Sequence, residues 1–148
     1  MSRLKQMLAA SLLAATASVP AAAMADEGKA PSEGPVRQYL KAWDARDVEA
    51  MLKTFTADTV VILPAQPPIS GTENLRGLLS AFVKSFSAPG ATFTPGQFTA
   101  NGSVAYFLWQ GDTPSGRYPF GADTFVVRDG HIAYLTLAFV AEPKPAKN

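Results

Sequence analysis

The sequence predicts an α+β domain: three N-terminal helices packed on a strongly curved, mostly antiparallel sheet, rolled into a cone with one open end. Three observations carry this. Apolar residues recur at helical spacing as far as Phe86 and at a period of two after Pro89-Gly90. Asn101-Gly102 and Asp129-Gly130, both strong two-residue hairpin signals, each sit between strand-like runs. Helices first and an antiparallel meander afterwards place the helices on one side of a single sheet.

Each element has its own warrant. Val36, Tyr39, Leu40 and Trp43 repeat at i, i+3, i+4, i+7, an amphipathic helix that tolerates Pro35 in its first turn. Asp47 is placed to cap a second helix carrying Val48, Met51, Leu52 and Phe55. The β-branched run 59–63 reads as a short strand ended by Pro64, and 64–69 as an extended loop. Ser70 and Glu73 have capping-box spacing ahead of a third helix with the stripe Leu75, Leu78, Leu79, Phe82, Val83 and Phe86. Four strands follow, at 92–100, 103–111, 117–128 and 131–141.

A two-residue turn at Asp129-Gly130 also predicts side-chain directions. It pairs Val127 with Ile132, Phe125 with Tyr134 and Asp123 with Thr136, so those six share a face with Ala138. The opposite face carries Phe120, Ala122, Thr124, Val126, Ala133, Leu135, Leu137 and Phe139. Both faces are apolar, so the expectation is that one covers the helices and the other meets a second copy in a homodimer.

The chain has 148 residues, 13 Lys+Arg, 12 Asp+Glu, one His and no Cys. That length fits one domain, 35–141, with a lead-in at 26–34 and a loose tail at 142–148. A net charge of +1 supplies no broad positive field, which argues against a nucleic-acid partner. Without cysteine there is no disulfide, thiolate metal site or Cys nucleophile, and His131 by itself is too little for zinc, so no metal and no cofactor are expected. Arg3 and Lys5, the apolar run from Met7 to Val19, Pro20 and Ala23-Met24-Ala25 have the form of a secretory signal peptide over 1–25. The apolar run is too short for a stable bilayer-spanning helix, which needs about 20 residues. The expected mature protein starts at Asp26, is periplasmic or secreted, and has no integral membrane segment; an uncleaved anchor is the alternative. Losing Arg3 and Lys5 turns the net charge from +1 to −1.

Asp123 is the first residue singled out for chemistry. It sits mid-strand among Gly121, Phe125 and Val127, where burial disfavours its charged form and raises its pKa. A carboxyl held neutral there can donate a hydrogen bond or act as a general acid or base. The plainer alternative is an Asp at the sheet rim bonded to Thr136 or to backbone.

Several stretches carry a family resemblance: Asp47-Val48-Glu49-Ala50, Phe55-Thr56-Ala57-Asp58-Thr59, Pro64 with 66–73, and Asp123-Thr124-Phe125 with 128–132. In this order, from about Val36 to Ala141, they resemble the nuclear-transport-factor-2-like (NTF2-like, cystatin-like roll) superfamily, and within it the ketosteroid-isomerase-like and SnoaL-like polyketide-cyclase branches. The resemblance implies Tyr39, eight residues before Asp47, and a protonated Asp123 as two donors aimed at one carbonyl oxygen. The residue that shuttles the proton in ketosteroid isomerases precedes the loop proline, and here that residue is Leu63, which cannot accept a proton. In the SnoaL-like comparison Asp123, seven residues before Gly130, takes the acid/base position with few polar neighbours.

The sequence therefore assigns Asp123 and Tyr39 as catalytic candidates, and Trp43, Leu63, Tyr106, Phe125 and Tyr134 as the lining of a pocket for a small apolar molecule. Two functions remain open at this point: a cofactor-independent isomerase or cyclase moving a proton beside a carbonyl, and a carrier or sensor without chemistry. A homodimer whose sheet face is its function is a third.

Overall fold

A computed structural model describes residues 29–145. The leader expected at 1–25 and residues 146–148 lie outside the described residues. Helices α1 (Glu33–Asp44) and α2 (Val48–Leu52) come first, then strand β1 (Phe55–Ile62), the two-residue β2 (Ile69–Ser70) and helix α3 (Thr72–Phe86). Strands β3 (Thr92–Asn101), β4 (Val104–Asp112), β5 (Gly116–Arg128) and β6 (His131–Pro143) complete a curled, unclosed six-stranded sheet in the order β2-β1-β6-β5-β4-β3. β1 runs parallel to β6 and every other pair is antiparallel, so the α+β, NTF2-like architecture stands. No helix among the described residues is long and apolar enough to cross a membrane.

α1 buries Val36, Tyr39, Ala42 and Trp43, the face its spacing predicted. It starts at Glu33, and Ser32 ahead of it is fully buried, its hydroxyl donating to the Val104 carbonyl at 2.9 Å. Asp47 caps α2 through Oδ1, which accepts from Ala50 N–H at 2.9 Å. α2 is shorter than its stripe suggested, because Phe55 already belongs to β1. The capping box at Ser70 and Glu73 does not form: Ser70 pairs with Val60 in β2, and Gly71 precedes α3 at φ +80 without a side-chain cap.

The last hairpin differs from the regular ladder in one respect that matters. Val127 pairs with Ile132 as expected, but Val126 pairs with Tyr134, Phe125 with Leu135 and Asp123 with Leu137. One extra residue, Ala133, bulges into β6, and a period of two then turns every later side chain to the opposite face. Ile132, Ala133, Leu135 and Leu137 are all buried, while Tyr134 is 47% exposed. Tyr134 and Thr136 thus do not share the face of Asp123, as an unbulged hairpin requires; Leu135 and Leu137 do. The bulge puts larger apolar side chains on the helix side, which is the burial that selects it.

The core lies between the helices and the inner face of the sheet. Val61, Leu135, Phe125 and Ala105 form one buried row across four strands. The outer face keeps half-exposed Ile62, Val104, Phe120, Tyr134 and Val140.

Candidate functional site

Between the inner face and the helices lies an apolar cavity of about 30 Å³, room for one or two water molecules. α1 supplies Tyr39, Leu40 and Trp43 to its wall, and α3 supplies Phe82 and Phe86. Phe93, Phe107, Trp109, Asp123 and Leu137 come from the sheet. The rings interlock: Trp43 meets Phe93 at 5.2 Å and Phe86 at 5.7 Å between centroids, and Phe93 stacks on Trp109 at 5.5 Å. Leu40, Phe82 and Phe93 are the half-buried members of the wall; the rest are buried.

Asp123 is 6% exposed and lies between Phe107 on β4 and Leu137 on β6. Trp109, its diagonal neighbour across β4–β5, donates its indole N–H to Oδ1 at 2.9 Å. Oδ2 has no hydrogen-bond partner among the described residues, and it is not among the sealed, partnerless buried atoms, which are Trp43 Nε1 and Thr56 Oγ1. It therefore faces the cavity. Burial pushes the Asp123 carboxyl up to about 7, against the smaller downward pull of the Trp109 hydrogen bond. Tyr39 also lines the cavity, and burial, reinforced by the Asp123 charge, keeps its hydroxyl protonated well above the usual tyrosine range. Tyr39 packs edge-on against Phe55 at 5.5 Å and against Phe125 at 5.4 Å, which fixes its ring.

The structure thus brings Asp123, Tyr39 and Trp43 to one cavity. Leu63 and Phe125 are buried in the adjoining core, Phe125 beneath Tyr39, without forming the cavity wall. Tyr106 and Tyr134 lie on the outer face. Tyr106 pairs with Thr124, one residue out of phase with Phe107 and Asp123, and the Ala133 bulge carries Tyr134 outward. Phe86, Phe93, Phe107 and Trp109 also line the cavity, though none was among the pocket residues assigned from the sequence. For Trp109 a signal existed, since it points opposite to Tyr106 and Leu108 on its strand. The register of β4 on β5 that brings it to Asp123 depends on a loop whose length gives no pairing rule. That loop, 113–115, is folded on itself through Thr113 and Gly116 and does not line the cavity.

Asp58, at the corner of β1, is engaged by Arg128, whose Nη2 donates to both of its carboxylate oxygens at 2.8 and 2.9 Å. It is exposed and does not line the cavity. No cluster of His, Cys, Asp and Glu able to hold a metal ion occurs among the described residues. What remains is an acid of near-neutral pKa and a second hydroxyl donor in an aromatic box, chemistry suited to donating hydrogen bonds and exchanging a proton.

Among solved structures, the fold is similar to a putative ketosteroid isomerase from Kribbella flavida at 19% identity and a TM-score of 0.61, covering 80% of this chain and 84% of that one. A putative polyketide cyclase from Xanthomonas campestris pv. campestris aligns at 22% identity and a TM-score of 0.59, over 74% of this chain and 90% of that one. The epoxide hydrolase/cyclase-like enzyme SalBIII, described in pyran ring formation in the polyether salinomycin, aligns at 17% identity and 0.60, over 72% and 88%. Likeness at these identities establishes the fold. No curated protein matches the sequence. The sequence profile of the SnoaL-like domain matches residues 36–135, from the first core residue of α1 to the inner row of β6. With that match over more than half its length, the chain belongs to the SnoaL-like domain family.

Proposed function

We propose that this SnoaL-like protein is exported and binds a small apolar molecule through a carbonyl oxygen at Asp123, acting as a cofactor-independent isomerase or cyclase by proton transfer beside that carbonyl. The observation that carries the reading is the Asp123 carboxyl, buried in an aromatic cavity with one oxygen bound to Trp109 and the other open. Near neutral pH both of its protonation states are populated. The neutral form donates to the ligand oxygen beside Tyr39. In the charged form Tyr39 alone donates to that oxygen, and Asp123 Oδ2 takes a proton from the neighbouring carbon and returns it at another position while Tyr39 stabilises the enolate. Because the cavity holds one or two waters, a ligand needs part of its wall to move aside, and the half-buried members are Leu40, Phe82 and Phe93.

A second reading, a carrier or sensor without chemistry, is favoured by Leu63, which leaves the family's loop position without a base. A missing general base costs about 10²- to 10⁴-fold in rate. The outer sheet face, with Phe120, Tyr134 and Val140 about half exposed, supports homodimerisation through that face.

Native mass spectrometry of the exported protein for a co-purifying small molecule, followed by turnover of that molecule with wild type and Asp123→Asn, is the test. Turnover lost in the variant with its fold intact supports the enzyme. A bound molecule left unchanged by wild type selects the carrier. Turnover unaffected by the substitution removes Asp123 from the mechanism.

A further inference from the structure

We infer that Trp109 is the positioning residue of this site: its indole N–H occupies Oδ1 of Asp123 and so confines the acid's proton to Oδ2, the oxygen that faces the cavity. The role rests on Asp123 being the working group of the proposed function, but the geometry stands on the apo protein.

An indole has one donor and no acceptor, so Oδ1 must accept in every protonation state of Asp123. The carbonyl oxygen of a neutral carboxyl is its better acceptor, so the neutral acid keeps its proton on the other oxygen. Without Trp109 the two oxygens are interchangeable by rotation, and the proton is delivered to the cavity only part of the time. The indole is itself held from several sides. Phe93 stacks on it at 5.5 Å, Phe86 stands edge-on at 6.1 Å, and Tyr118 packs at 5.9 Å. On the strand side it lies over Gly121, where a β-carbon would collide with its ring. Of the side chains lining the cavity from α1, α3, β3, β4, β5 and β6, only Tyr39 is titratable besides Asp123, and Tyr39 stays neutral through the range in which Asp123 titrates. Tyr118 packs on the same ring without lining the cavity, so a titration that reaches the indole from within the cavity is that of Asp123.

The sequence has two tryptophans, so two indole N–H resonances report on the site in ¹⁵N-labelled protein. In wild type, the resonance that is lost in Trp109→Phe is expected to move with pH with a single midpoint, and to stop moving in Asp123→Asn. The Asp123 carboxyl carbon is expected to titrate about one pH unit higher in Trp109→Phe, a tenfold gain in proton affinity from losing a donor to the charged form. A role in packing alone leaves that midpoint where it was. An unchanged midpoint in folded Trp109→Phe, or an indole resonance indifferent to pH and to Asp123→Asn, overturns the proposal. Should Trp109→Phe not fold, the comparison of wild type with Asp123→Asn decides alone. None of these readings needs a ligand, so absence of turnover defeats the proposed function without touching this one.

Discussion

Trp109 and Gly121 face each other across β4 and β5, and the indole fills the space that a side chain at position 121 would take. The glycine serves close approach here, since its backbone is not in the left-handed region. Gly121→Ala is therefore expected to displace the ring and destabilise the fold by about 1–3 kcal/mol, the usual cost of overpacking. Urea denaturation measures it. A variant as stable as wild type, with the indole resonance in place, contradicts the packing described.

Asp123 makes stability pH-dependent with a definite sign. Its pKa rises from 3.8 in the unfolded chain to about 7 in the fold, so between those values the folded protein binds the extra proton. The stabilisation is fully present below the lower value and is lost as pH rises through the upper one, amounting to roughly 4 kcal/mol. Asp123→Asn lacks this term. Relative to wild type, the variant is expected to gain stability between pH 5 and pH 8, as followed by chemical denaturation at both. A constant difference across that range contradicts the burial of an ionisable group.

Trp43 offers a contrast with Trp109. Its Nε1 is buried without a partner, and a buried unsatisfied donor costs about 1–3 kcal/mol. Trp43→Phe removes that donor together with some ring volume. It is expected to be less destabilising than Trp109→Phe by about 1–2 kcal/mol. Equal losses, measured by denaturation at pH 5, count against the difference in hydrogen bonding.

At the outer face, Tyr134 sits beside Val126 and Val104 in one cross-strand row. Tyr134→Lys puts a charge into that row without touching the inner core. The expected outcome is a monomer by light scattering at micromolar concentration where wild type is a dimer, with the folded protomer's stability changed by about 0.5 kcal/mol or less. A monomeric wild type ends the dimer proposal.

Much of this architecture was legible because local chemistry agrees with it. Asp129 and Gly130 both adopt positive φ, as a two-residue turn of that type requires, and the α1 stripe buries the residues that its spacing selects. Asp123 was legible for the same reason, as a carboxylate at an apolar inward position. The face of Tyr134 was not, because two adjacent apolar residues, Ile132 and Ala133, look alike whether the strand is regular or bulged. The length of α2 was hidden by Phe55, which continues a helical stripe while beginning a strand. The hydrogen bond of Trp109 to Asp123 was not legible because it is a matter of register between strands joined by an irregular loop.

The parallel pairing of β1 with β6 has a consequence for how the protein comes into being. Val61 and Leu135, neighbours in the central row, are separated by most of the domain in sequence. On a growing chain, α1, α2 and β1 emerge first and have no inner strand to lie against until the last strand has been made. Long-range pairing of this kind is slow, because the connecting chain must be closed before the contact stabilises anything. Closing the β1–β6 pair therefore waits until the last strand of the domain is available, wherever the chain folds.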